Sequence, residues 1–241
     1  MIVLLTDFGQ SEYVGVMKGV IYCIHKDTRV VDLCHDVSPQ SLIEASWILK
    51  TSYSYFPAGA IFCCVVDPGV GTPRKALAVK TADYHFVGPD NGLLWETLKE
   101  QEIVEMRVIP VPKDASRTFH GRDVFAGAAA NIDLGRFDAL GPKAEDLVKL
   151  ELYRHERVGT IVRIDRFGNI VTNLPSEGKT SYSVEAGRHR RRMDFYPNYD
   201  AAPGDELFLI EGSYQTLEIS VRNGNANERL RLEAGSRVEI I

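Results

Sequence analysis

Strands and helices alternate along the first 135 residues, and from about residue 155 the helical period disappears. IVLLT (2–6) is an apolar run closed by a polar cluster. Residues 12–26 follow, with Tyr13, Val16, Met17, Val20, Ile21 and Ile24 spaced as one helical face. VVDLC (30–34) reads as a second strand, and Ser38-Pro39 supplies an N-cap and a first-turn proline for a helix running to about Tyr55. AIFCCVV (60–66) is apolar on both faces, as a central strand of a parallel sheet is. ALAVK (76–80), YHFVG (84–88) and the 103–111 stretch add strands, while Gly92–Lys99 and Asp123–Gly135 read as helices. Strands separated by helices predict an α/β layer fold with a mostly parallel sheet.

The second half is built differently. RVGTIVRID, NIVTNL, ELFLIEG, TLEISV and RVEII are short segments separated by Gly, Asn, Asp and Pro turns. They predict a smaller all-β domain, a barrel or compact sandwich. The boundary falls in the loop-like stretch 136–156, giving domains of residues 1–150 and 151–241.

Composition narrows the partners. Lys and Arg number 28 against 33 Asp and Glu, a net charge of −5, which argues against nucleic acid or an anionic membrane as the main partner. No apolar run reaches the ~18–20 residues of a membrane-spanning helix. The start MIVLLTDFGQ lacks a basic stretch and carries Asp7 at once, so it reads as a buried strand rather than a signal peptide. Cys23, Cys34, Cys63 and Cys64 form no C-x-x-C pair and read as reduced, buried thiols of a cytoplasmic protein. RHRRR (188–192) reads as a solvated hairpin tip.

In α/β sheets ligands sit beyond the carboxyl ends of the strands. That edge collects Thr6-Asp7-Phe8-Gly9, Cys34-His35-Asp36, Asp67-Pro68-Gly69-Val70-Gly71 and Gly88-Pro89-Asp90-Asn91-Gly92. Any one aspartate there serves as an Asx-turn or N-cap residue. Several together repel unless a ligand or partner offsets them. Gly69-Val70-Gly71 lacks the third glycine of a dinucleotide fingerprint, and Gly178-Lys179-Thr180 lacks the upstream glycine of a P-loop. The pattern suits a cationic or hydroxyl-rich ligand. His35-Asp36 with Asp7, Asp67, Asp90 and His120 would form an oxygen/nitrogen metal set, but the spacing matches no metal signature, so no metal ligand is assigned. His25, His85, His155 and His189 read as structural or surface residues. His120, just before a helix, is placed to face a crevice.

Five motifs then stand in a shared order: Thr6-Asp7-Phe8-Gly9, Val66-Asp67-Pro68-Gly69-Val70-Gly71, Gly88-Pro89-Asp90-Asn91-Gly92, Phe119-His120-Gly121-Arg122-Asp123 and Asp165-Arg166-Phe167-Gly168-Asn169. Over essentially its whole length the chain resembles the S-adenosyl-L-methionine hydrolases (adenosine-forming), also called SAM hydroxide adenosyltransferases, relatives of the fluorinases and chlorinases. The resemblance implies an N-terminal α/β domain, a C-terminal β-barrel-like domain, and homotrimers whose sites lie between the N-domain of one subunit and the C-domain of the next. It implies that Asp67, Arg74 and His120 handle an attacking water. It also implies that Asp7 grips the ribose hydroxyls, Asp165 the methionine ammonium and Ser213 the methionine end, with Phe167 and Asn169 around the adenine. S-adenosylmethionine is then substrate, and no cofactor is required. The halogenating relatives have Tyr where Asp67 stands and a halide-contacting Ser where Gly121 stands. Two departures stand out: Tyr214 follows Ser213 where relatives can have Arg, and Val171 replaces a Trp near the adenine. Trp47 reads equally as a wall of that pocket or as core. The rival readings are a halogenase, a metal-dependent phosphoesterase or deaminase, and a non-catalytic sensor of the same ligand.

Overall fold

The computed structural model describes every residue, Met1–Ile241, in two compact units, Met1–Glu151 and Leu152–Ile241. The first contains β1 (Ile2–Thr6), α1 (Glu12–Ile24), β2 (Val30–Cys34), α2 (Leu42–Ser52), β3 (Ile61–Val65), β4 (Ala76–Thr81), β5 (His85–Pro89), α3 (Trp95–Leu98), β6 (Ile103–Val108) and α4 (Gly127–Asp133). The strands form one sheet in the order β2-β1-β3-β5-β4-β6. Strands β2, β1, β3 and β5 run parallel, while β4 is antiparallel to both β5 and β6. The reason is local: α1 and α2 supply the crossovers that let β2, β1 and β3 run parallel. Strands β3 and β5 are joined through β4, and the short turn from β4 to β5 permits only an antiparallel pair.

Alternate residues of the central strands face opposite layers. Ile2, Leu4, Ile61, Cys63 and Val65 pack with Met17 and Ile21 of α1 and with Ala128, Ala129 and Ala130 of α4. Val3, Leu5, Phe62 and Cys64 pack with Ile48 and Leu49 of α2. Burial on both faces accounts for the unbroken apolar runs, each large side chain contributing roughly 1.5–3 kcal/mol.

Several elements differ from expectation. Helix α2 begins after Ser41, whose Oγ accepts the Glu44 N–H at 3.3 Å, while Glu44 Oε2 accepts the Ser38 N–H at 3.0 Å. Ser38 to Gln40 instead make a turn in which Gln40 takes φ +64°. Beyond Ser52 the chain continues as a single 3₁₀ turn, Tyr53–Tyr55. The helix read at Gly92–Lys99 shrinks to α3, and the one read from Asp123 starts at Gly121 as a π-helical turn (Gly121–Ala126) that feeds α4.

The second unit holds β7 (Val158–Ile164), β8 (Ile170–Pro175), β9 (Ser181–Ala186), β10 (His189–Asp194), β11 (Leu207–Glu211), β12 (Thr216–Val221), α5 (Ala226–Leu230) and β13 (Arg237–Ile240). Its strands are ordered β10-β9-β13-β7-β8-β12-β11, with every ladder antiparallel. A bridge from Phe195 to Leu209 nearly closes the sheet into a barrel. Its interior holds Ile161, Ile170, Tyr182, Leu209, Ile219 and Val238. Helix α5, capped by Asn225, is too short to leave a helical period in the sequence. Residues 189–192 of the basic cluster form most of β10 rather than a hairpin tip, and charged residues on an edge strand discourage pairing with other chains. Cys63 and Cys64 are buried and Cys34 partly so, but Cys23 is exposed, on the outer face of α1; all four are free. No helix is long and apolar enough to cross a membrane.

Candidate active site

At the carboxyl edge of the first sheet lies a cleft of about 360 Å³, lined by Asp7, Phe8, Tyr13, Gln40, Asp67, Phe119 and His120 among others. Asp67 leaves β3 and enters a tight turn, where the Val70 N–H reaches Asp67 O at 3.2 Å and the Thr72 hydroxyl reaches Gly69 O at 2.6 Å. Gly71 makes the turn possible. It sits at φ +76°, and a Cβ there would collide with the Arg117 carbonyl oxygen. The close approach brings the 67–74 turn against the segment that ends in His120.

The convergence is direct. Arg74 Nε donates to Asp67 Oδ1 at 3.0 Å, and Arg74 Nη2 donates to Asp67 Oδ2. The same Nη2 lies 2.8 Å from His120 Nδ1. Both members of the ion pair are nearly enclosed, with side chains 9% and 6% exposed. The guanidinium also stacks over Phe125 at 5.3 Å. Arginine has no acceptor, so His120 Nδ1 must accept, and a neutral ring carries its proton on Nε2. Burial, then the positive Arg74, holds the His120 pKa below the ordinary histidine value, with Asp67 and Asp123 opposing. The π-helical turn presents His120 at its start; wide turns of this kind occur often at functional sites. Behind it, a Cβ on Gly121 would meet Met17 Sδ and the Phe119 ring, each at 3.1 Å.

Asp7 lies in the same cleft, its Oδ2 accepting the Gln40 N–H at 2.8 Å. Phe8, Tyr13 and Phe119 form an edge-to-face ring cluster with centroids 4.9–5.8 Å apart. The remaining acidic turns of that edge do not join them. Asp90 Oδ1 accepts the Val148 N–H at 2.7 Å, and Asp36 is exposed outside the cleft lining. No group of three or more His, Cys, Asp or Glu side chains is arranged to hold a metal ion. Among the other histidines, His25 contacts Asp133 at 3.1 Å, His85 packs on Phe137, and His189 Nε2 lies 2.9 Å from Leu230 O.

Asp165, Phe167 and Asn169 share one loop of the second unit. Asp165 Oδ1 accepts the N–H groups of Phe167 (2.9 Å) and Asn169 (2.8 Å), and its Oδ2 accepts Asn169 Nδ2 at 2.8 Å. Asn169 is buried and Nδ2 also reaches the Tyr199 hydroxyl at 3.3 Å, while Phe167 is 74% exposed. Ser213 is exposed in the turn between β11 and β12. Val171 and Trp47 are buried, at 5% and 7% exposure, and Tyr214 is 41% exposed. One residue of this region escaped the sequence reading. Glu218 lies against Gly212, its Oε1 filling the space a Cβ there would need, and burial together with Asp165 pushes its pKa up to about 7. The available signal was a single acid in TLEISV among residues that the strand buries.

The chain matches the model of the SAM hydroxide adenosyltransferase N-terminal domain over residues 2–141 and that of the C-terminal domain over residues 159–239. It belongs to the SAM hydroxide adenosyltransferase family. Relatives named (R)-S-adenosyl-L-methionine hydrolase include one from Thermus thermophilus, 37% identical with 98% of both chains covered. Another, from Methanocaldococcus jannaschii, is 33% identical, covering 100% of this chain and 95% of its own. A fluorinase from Nocardia brasiliensis is more distant, 24% identical over 72% of this chain and 71% of its own. Among solved structures, an uncharacterized conserved protein from Thermotoga maritima superposes with a TM-score of 0.91 at 35% identity, both chains being covered completely.

Proposed function

We propose that this enzyme hydrolyses S-adenosyl-L-methionine to adenosine and L-methionine by attack of water at C5′. The observation that carries the reading is the single hydrogen-bonded set of Asp67, Arg74 and His120, of which Asp67 and His120 line the cleft beside Asp7. Full-length likeness to relatives named as hydrolases of that compound supports it.

The substrate's sulfonium already activates C5′, and methionine leaves as a neutral thioether. The protein's task is to hold one water in line with the C5′–S bond and keep other water out. In our reading His120 donates through Nε2–H to the water oxygen. Asp67 takes the proton released as the O–C5′ bond forms and the C5′–S electron pair moves to sulfur. Arg74 fixes both partners and, as the permanently charged member, balances Asp67 until it accepts that proton. Asp7 binds the ribose diol. Asp165 takes the methionine ammonium and Ser213 the methionine end, with Phe167 and Asn169 at the adenine.

These two sets lie in different units. We assign the complete site to a homotrimer in which the first unit of one subunit faces the second unit of the next. The free thiols, Cys23 exposed among them, fit a reducing compartment, and we place the enzyme in the cytoplasm. The reaction as read needs no cofactor and no metal.

The test is incubation of EDTA-treated protein with S-adenosylmethionine and chromatography of the products. Adenosine and methionine in equal amounts are expected. Activity lost on chelation and restored by metal would favour the phosphoesterase reading, and binding without turnover the sensor reading.

A further inference from the structure

We propose that His35 is the positioning residue for Asp7, holding the segment that carries it at both ends. This rests on the reading that Asp7 binds the ribose diol. His35 Nδ1 lies 2.9 Å from Thr6 Oγ1, and Thr6 Oγ1 in turn accepts the Phe8 N–H at 3.2 Å. On the other side of Asp7, the Gly9 N–H donates to the His35 carbonyl at 2.7 Å. The ring is itself anchored: Nε2 stands 3.0 Å from Asp32 Oδ1, and Asp32 Oδ2 accepts Lys18 Nζ of α1 at 2.6 Å. Lys18, Asp32, His35 and Thr6 thus form one chain of contacts ending at the residue before Asp7.

A regular strand would not permit this. Side chains three apart point to opposite faces, so Asp32 and His35 would be separated by the sheet. The β1–β2 ladder shows how they meet: Leu4 pairs with Asp32 but Leu5 pairs with Cys34, leaving Leu33 as an extra residue. Consecutive Leu33 and Cys34 both pack on the α2 side, as a bulge allows. Beyond the bulge the alternation is reversed, and His35 turns to the face that carries Asp32 and Thr6. With Asp32 beside Nε2, that nitrogen carries the proton and Nδ1 accepts the Thr6 hydroxyl. His35, weighed above as a metal ligand beside Asp36, has Nδ1 bonded to Thr6 and Nε2 within ion-pair distance of Asp32.

The experiment measures kcat and KM for S-adenosylmethionine hydrolysis. His35→Ala should raise KM about tenfold and leave kcat within about threefold, the signature of lost ground-state binding. His35→Asn, whose amide overlays Nδ1 and keeps the Thr6 bond, should recover most of the affinity, and His35→Gln, which overlays Nε2, should not. Thr6→Val removes the ring's partner while keeping the side-chain shape, and should reproduce the KM effect even if His35→Ala folds poorly. In the double variant with Asp7→Ala, adding His35→Ala should change KM little, because Asp7 is the group through which His35 acts. KM effects that multiply, or a fall confined to kcat, would overturn the assignment while leaving the hydrolase reading intact. A wild-type protein that releases no adenosine would overturn the reading and this inference together.

Discussion

His120 and Glu218 are held away from their ordinary pKa values in opposite directions, and in both the charged form is the one disfavoured. His120 is kept neutral by burial and Arg74, so its charged form is disfavoured in the native state. As pH falls below about 6.5 the unfolded chain takes up this proton first, and stability declines. The acid limb of kcat/KM should accordingly lie below the ordinary histidine range. Asp123 pushes the other way, so Asp123→Asn should move that limb to still lower pH, and an unmoved or raised limb would contradict the assignment. Glu218 keeps its proton to about pH 7 in the folded chain, whereas it ionises near 4.5 when unfolded. Its unfavourable contribution is absent below that range, grows as pH rises through it, and levels off above about 7. Glu218→Gln should therefore melt with the wild type at pH 4. At pH 8 it should be more stable by about 1–2 kcal/mol, after allowing for partial exposure, which thermal melts at the two pH values can read. Gly121 bears on the nucleophile. It offers no hydroxyl to a halide, and the position leaves little room for one between Met17 and Phe119. High chloride or fluoride should leave adenosine as the product by mass spectrometry; 5′-halo-5′-deoxyadenosine at a comparable rate would favour the halogenase reading.

Elements decide which residues meet, and they differ in how openly a sequence declares them. The turn from Asp67 to Arg74 depends on Gly71, where a side chain meets both a left-handed backbone and the Arg117 carbonyl. Gly71→Ala should cost about 2 kcal/mol or more in stability and lower kcat, since it pushes His120's segment away from Arg74. Unchanged turnover in a folded variant would separate the turn from the chemistry. The strands were legible because burial on one or both faces imposes a period that composition displays directly. The start of α2 was not: Ser38-Pro39 and Ser41-Leu42-Ile43-Glu44 both carry start signals, and only the left-handed turn at Gln40 decides between them. The π-helical turn leaves no period of its own. Asp67, Arg74 and His120 came from family resemblance, because no local spacing announces a pair seven residues apart or a partner 46 residues on. Glu218 and the His35 contacts were hidden for the same reason, since strand pairing rather than sequence distance creates them.

At the scale of the molecule, the proposed division of the site between neighbouring subunits has a direct consequence for mixtures. His120→Ala damages only the first unit and Asp165→Ala only the second, so each homotrimer should be inactive or nearly so. When the two are co-expressed, a site can form from the intact first unit of one variant and the intact second unit of the other. Random assembly of equal amounts gives about a quarter of sites that combination, and activity should return to roughly that fraction of wild type. Mixtures as inactive as their components would place the whole site within one chain. Light scattering of the wild type should give three times the chain mass, and the second unit alone should not bind the substrate.

The extra residue in β2 makes one part of the site depend on how many residues the strand contains rather than on which they are. Conservative substitutions at Leu33 or Cys34 would pass almost unnoticed, since apolar replacements still pack against α2. Removing either residue would leave a regular strand in which His35 follows Asp32 by two positions, on the same face and still beside Thr6, whereas adding one would carry His35 past Thr6. A survey of point substitutions would therefore mark this segment as tolerant, while a single-codon insertion there would disarm the Asp7 segment in a protein whose every named site residue is still present.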